Sequence, residues 1–168
     1  MSIIKVDEVQ DLAGKKILQN TGGVLQVVNA SYATVVSNTS SSFADTGLSA
    51  TITPTSSSSK ILVLVSQYHR IVSSINDTAG DIGSIDLLRD STSILTTDDL
   101  LGVQAACPSG NVVMYHFYNS LVHLDSPATT SAVTYKTQMK LRLTGGTRQI
   151  YAQYQNKPST MTLVEISA

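Results

Sequence analysis

Along most of the chain apolar residues alternate with polar ones at a period of two, the signature of β-strands with one face packed and one face wet. In LSATITP, Leu48, Ala50 and Ile52 share a face opposite polar residues, and Pro54 ends the run. KILVLVSQYHRIVSS is the strongest strand. Its Ile61 to Val65 portion is apolar on both faces, as a central strand requires. NVVMYHFYNSLVHL reads as a second long strand. In VTYKTQMKLRL, Tyr135, Thr137, Met139, Leu141 and Leu143 form the packing face, while Lys136, Gln138, Lys140 and Arg142 form a wet cationic one. VLQVVNASYATVV, bent near Asn29, precedes these. SIDLLRDSTSIL gives two short strands about Arg89-Asp90-Ser91, and RQIYAQYQ gives one strand in which Tyr151 and Tyr154 differ in parity. STMTLVEIS closes the chain, and an apolar strand there is expected to sit inside a sheet, where it does not fray.

Polar turns separate these runs: SNTSSSFADTG, TSSSS, NDTAGDIG, DSPATTSA and TGGT. In DSPATTSA, Asp125 caps the turn through its carboxylate and Pro127 fixes φ. TTDDLLGVQAACPSG reads as a long connection or a short helix. About eight strands at regular spacing after residue 24 predict an all-β chain folded as a jelly-roll β-sandwich, residues 29–168.

Residues 1–28 differ. SIIKVDEVQ, DLAGKKIL and NTGGVLQVV offer three short strands with tight turns, too few to bury a core alone. They need a partner, either their own domain as a meander or another protein as an attachment segment; the second is the expectation here.

Composition narrows the function. Ser and Thr make up 42 of 168 residues, which suits a hydroxyl-rich β exterior. Eleven Lys and Arg against twelve Asp and Glu leave a formal charge of −1, so no basic face for nucleic acid is expected. The single cysteine, Cys107, permits no internal disulfide. No apolar run approaches the ~20 residues of a membrane span. MSIIKVDEVQ is too polar for a signal peptide, so synthesis in a cytoplasm is expected.

Catalytic and metal chemistry find little footing. His116 and His123 lie seven apart in one strand and so point to opposite faces, and His69 stands in another strand; none has ligand spacing. Asp77 with Asp81, and Asp98 with Asp99, lack the spacing of a calcium loop. There is no G-x-S-x-G elbow and no phosphate loop. The chain reads as a non-enzyme without metal or cofactor. Candidate contact residues lie at loop tips, Asn76, Asp77, Asp81, Asp98 and Asp99, and in the basic row Lys136, Lys140 and Arg142, which is either a solvated face or a contact for an anionic glycan. The aromatics Tyr115, Phe117, Tyr118, Tyr151 and Tyr154 are candidates for a subunit interface, with receptor contact the alternative.

Several blocks carry a resemblance. IIKVDEVQDLAGKKIL followed by GGVLQVV resembles the start of small fibre and appendage proteins of tailed bacteriophages. LSATITPTSSSSKILVLVS, LLRDSTSI, LDSPATTSAVTYKTQMKLR and STMTLVEISA resemble the head domain of such proteins. The resemblance implies a homotrimeric jelly roll, similar in outline to the complement C1q and tumour-necrosis-factor heads, located in a virion. It implies attachment to other virion proteins through residues 1–28 and contact with a host-surface glycan as a tail-fibre or head-fibre tip. A capsid-decorating or cement role is the alternative.

Overall fold

The computed structural model describes residues 23–73, 81–103, 112–144 and 147–168, with only the backbone of Asp81 and of residues 99–103. The described strands are β1 (Val24–Tyr32), β2 (Val36–Asn38), β3 (Ala44–Ile52), β4 (Lys60–Ser73), β5 (Asp81–Arg89), β6 (Thr92–Val103), β7 (Val113–Asp125), β8 (Val133–Leu141), β9 (Gln149–Ala152) and β10 (Ser159–Ile166).

They form two antiparallel sheets. One has the order β3-β8-β5-β6. The other is built around β4. On one side β4 pairs with β7 from Ile61↔Asp125 to Ser73↔Val113. On its other side it pairs first with β10, Lys60 to Ser66, and then with β9, His69 to Val72. β1 extends the row of β10 and β2 extends the row of β9. With these broken rows joined, each sheet is four strands wide. The chain crosses between sheets at nearly every connection, which is the jelly-roll pattern of the expected sandwich.

β4 has the central place its double-faced apolar run predicts, and β10 lies between β1 and β4 as expected of an apolar closing strand. Residues 24–28 belong to β1 of the sandwich, while residues 1–22 lie outside the described residues. The stretch expected as a connection or short helix is a strand as far as Val103, because β5 begins at Asp81 and offers it a ladder from Asp81↔Val103 onward. Cys107 lies outside the described residues.

The core lies between the sheets. Ile61, Val63, Met161 and Leu163 from the β4 sheet meet Leu48, Ile52, Met139 and Leu141 from the other, all almost fully buried. Each such side chain contributes about 1.5–3 kcal/mol by leaving water. Tyr135 is also fully buried, and its hydroxyl donates to Asp125 at 2.7 Å. The same carboxylate accepts from Arg89 Nη1 at 2.9 Å. Asp125 therefore ties the end of β7 to β5 and β8 of the opposite sheet, rather than only capping its own turn. Burial, then the hydrogen bond to Asp125, push the Tyr135 phenol far above its usual range.

A second carboxylate closes the base of the sandwich. Glu165 accepts from Gln26 Nε2 at 2.6 Å and from both the amide and the hydroxyl of Thr55 at 2.7 Å. It joins β1 and β10 to the loop between β3 and β4. Burial pushes its carboxyl up, but the bonds from Gln26 and Thr55 outweigh this and hold the pKa down to about 2.

Gly47 interrupts β3 where the ladder to β8 shifts between Asp45 and Ser49. Its φ is +85°, and a Cβ there would stand 2.3 Å from the Tyr32 ring. Both the left-handed backbone and the close approach require glycine.

Two outcomes follow for stability. Gly47→Ala adds the strain of a left-handed residue to a clash with Tyr32 and costs about 2–4 kcal/mol, read as a lowered urea midpoint. The Glu165 carboxyl is depressed from 4.5 to about 2 on folding. Its stabilisation is therefore complete above about pH 4.5 and disappears as pH falls through about 2. Glu165→Gln costs about 1–3 kcal/mol at neutral pH and flattens the stability curve across that acid window, measured by urea unfolding at stepped pH.

Candidate functional site

The outward faces of the two sheets differ in chemistry. On the β3-β8-β5-β6 sheet the outward face is polar and its charges are compensated. Lys136 pairs with Asp45 at 3.0 Å, and Gln138 donates to the same carboxylate at 2.6 Å. Those bonds lower the Asp45 pKa against a burial effect that raises it. Lys140 lies 3.6 Å from Asp98 and over the Phe43 ring at 4.5 Å. A groove of about 450 Å³ lies here, with Ser84, Lys140 and Arg142 in its lining. The predicted basic row thus faces solvent with Lys136 and Lys140 each beside a carboxylate. Asn76 and Asp77 lie outside the described residues, as do the side chains of Asp81 and Asp99.

On the β4 sheet the outward face is apolar at one end and aromatic at the other. The register sets Leu62 beside Leu124, Leu64 beside Val122, and Val164 beside Leu62. Val27 continues the row on β1. Val122 is 66% exposed and Val27 58%, Leu64 and Leu124 are exposed as well, and Leu62 and Val164 between them are half-buried. Ser66, Ser120 and Thr160 cross the middle. Beyond them Tyr68 pairs with Tyr118, Arg70 with His116 and Tyr151, and Val72 with Met114.

The chain between β9 and β10 completes the aromatic end. Ala152 pairs with His69 and Thr160 with Ser66, so residues 153–159 bridge a gap of two β4 positions, Gln67 and Tyr68. The surplus loops out through a short 3-10 turn, Tyr154–Asn156, with Gln153, Gln155 and Asn156 all in left-handed conformation at φ 54°, 58° and 56°. Tyr151 and Tyr154, of opposite parity in a regular strand, are brought to the same face by this turn, with ring centroids 5.3 Å apart. Arg70 lies 4.1 Å from the Tyr154 ring centre and 5.5 Å from that of Tyr151. Lys157 stands 4.7 Å over the Tyr68 ring, which packs on Tyr118 at 4.9 Å. His116 Nδ1 shares a 2.7 Å hydrogen bond with the Tyr68 hydroxyl. Burial, then the charges of Arg70 and Lys157, lower the His116 pKa.

The same loop seals the break in the ladder. The Tyr68 amide donates to Ser159 Oγ at 3.2 Å, and the Gln153 amide donates to the Tyr68 carbonyl at 2.9 Å. Beneath it the sandwich interior is polar. With its amide nitrogen toward the carbonyls of Ala152 and Thr46, Gln153 accepts from Gln67 at 2.8 Å and from Ser159 at 3.1 Å. Thr46 meets the Thr137 hydroxyl at 2.6 Å. His69 is buried here, stacked on Phe117 at 6.0 Å, and burial takes its pKa down to about 3.

Of the five aromatic candidates, Tyr118, Tyr151 and Tyr154 share the outward face. Tyr115 and Phe117 have the opposite parity on β7 and turn toward the interior. Arg70, Lys157 and Tyr68 were not singled out from the sequence. The one available signal was an Arg in an otherwise apolar central strand. The carboxylates with described side chains are engaged structurally: Asp86 accepts from Ser93 and Thr96, Asp90 from the Thr134 amide, and Asp45, Asp98, Asp125 and Glu165 as above. Among the described residues no cluster of three or more His, Cys, Asp or Glu could hold a metal ion, and no helix is long and apolar enough to cross a membrane.

Lys157→Met removes one positive charge from beside His116 and raises its titration midpoint. Burial and Arg70 remain, so the midpoint stays below the ordinary 6.5, as followed by NMR of the ring protons.

No protein-family profile matches the chain, and no curated protein does. Solved structures that it resembles include infectious bursal disease virus Gt strain, at 11% identity and a TM-score of 0.35 over 98% of this chain and 43% of that one. The VP2 subviral particle of the same virus is similar at 12% identity and TM-score 0.35, over 98% of this chain and 42% of that one. The chain thus spans less than half the length of these neighbours, and the fold assignment rests on strand order and register rather than on this likeness.

Proposed function

We propose that the chain is a non-enzymatic structural protein of a bacteriophage virion, which assembles through the apolar end of the outward face of its β4 sheet and presents the remainder as a host-contacting tip. One observation carries the assembly reading: Val27, Leu64, Val122 and Leu124 lie exposed on one sheet, continuous with the half-buried Leu62 and Val164, while the other sheet's outward face is charged and compensated. Contiguous exposed apolar patches mark contact surfaces. β7 adds to it, since among the described strands its 13 residues pair with β4 alone, and a long sheet edge is covered in stable proteins. Copies of this chain fit the stripe best, because an apolar face matches itself around a symmetry axis. The resemblance of LDSPATTSAVTYKTQMKLR and STMTLVEISA to phage appendage heads supports a homotrimer and the virion location. Three copies on one rigid head would multiply weak host contacts by avidity.

Val122→Glu tests the assembly surface. Sedimentation velocity at micromolar concentration is expected to show an oligomer for the natural chain and a monomer for the variant, with unfolding midpoints equivalent to within about 0.5 kcal/mol. A monomeric natural chain would overturn the reading. Gold-labelled antibody on intact particles then locates the protein. Label at fibre tips supports host attachment, label over the shell supports decoration instead, and unlabelled particles remove the virion role.

A further inference from the structure

The loop between β9 and β10 covers a cation whose needs the fold does not meet. Arg70 is 8% exposed, and a guanidinium carries five N–H donors. Its Nη2 donates to the Met114 thioether at 2.9 Å, a weak acceptor, and its Nε is buried without a partner. Among the described residues no carboxylate pairs with it. The rings of Tyr154 and Tyr151 attract its charge from their faces, but they offer no acceptor to the Nε donor in its plane. Lys157 and His116 stand in the same group, joined through Tyr68, and the charges of both Arg70 and Lys157 reach His116. A buried, unpaired cation is costly. The left-handed backbone at Gln153, Gln155 and Asn156 is a further cost, and it places Tyr154 over Arg70 and Lys157 over the neighbouring Tyr68. Packing alone would be met by a methionine or leucine at position 70 without either cost.

We propose that Arg70, Lys157 and His116 form an oxyanion-binding site walled by Tyr151 and Tyr154, for a sulfate, a phosphate or the carboxylate of an acidic sugar. The planar fork of arginine matches two oxygens of such a group, and lysine adds a point charge. Tyr118, 60% exposed beside Tyr68, offers a face on which a sugar ring attached to that carboxylate could stack. The site goes beyond the assembly reading and does not depend on it.

The test is calorimetric titration of sulfate, glucuronate and acetate into the full chain at constant ionic strength. Binding of at least one is expected, weakened about tenfold or more by Arg70→Met and about threefold by Lys157→Met. Lys157→Met changes an exposed side chain and keeps the experiment readable if Arg70→Met fails to fold. Glucuronate tighter than acetate identifies an acidic saccharide as the ligand, and equal affinities identify a free oxyanion. Absence of binding by all three, or binding that both variants leave unchanged, overturns the proposal. Sedimentation of the same samples separates this from assembly: an oligomer that binds no anion refutes the site alone, and a monomer that binds one through Arg70 refutes assembly alone.

Discussion

Strand β4 sets the constraint on which the molecule depends. It is 14 residues long and lies inside a sheet, so its backbone groups need partners on both sides along its whole length. β7 supplies one side continuously. The other side is assembled from two strands running in the same direction, β10 and β9, with β1 and β2 behind them. At the seam the ladder lapses for two residues, Gln67 and Tyr68, and the Tyr68 amide and carbonyl are satisfied by Ser159 Oγ and the Gln153 amide.

That seam divides the sandwich in two. On the side of β10 the interior is aliphatic, with Ile61, Val63 and Leu163, and the outward face carries Leu62, Leu64 and Val164. On the side of β9 the interior sets Gln67, His69 and Gln153 beside the aliphatic Ile71 and Ile150, and the outward face carries Arg70, His116 and the tyrosines. The residues that bridge the seam are too many for the gap, so they leave the sheet and return. This excursion brings Tyr154 and Lys157 over Arg70 and Tyr68. The aromatic cluster is thus a consequence of a broken strand row.

The two carboxylates Asp125 and Glu165 act at the perimeter in a similar sense. Each converges donors from separate segments on a buried acid, so the energy of several charge-assisted bonds fixes the arrangement of strand ends that hydrophobic burial leaves free to slide. The apolar core sets which faces turn inward; the carboxylates set where β7, β1 and the loop before β4 stop.

The sequence by itself determined the all-β class, the inward parity of β3 and β8, and the central places of β4 and β10. A strand's period of two depends only on local backbone geometry, and burial on both faces leaves a visible apolar run at Ile61–Val65. It did not show that the strand begun at Thr92–Leu95 runs on to Val103, since that extension is decided by the ladder that β5 offers. Parity placed Tyr151 and Tyr154 on opposite faces, and only the left-handed turn at 153–156 put them on one. Likewise Lys136 and Lys140 read as a free basic row until β3 and β6 brought Asp45 and Asp98 alongside. Each of these depends on residues far apart in the chain, and pairing across sequence distance is information that only the tertiary structure holds.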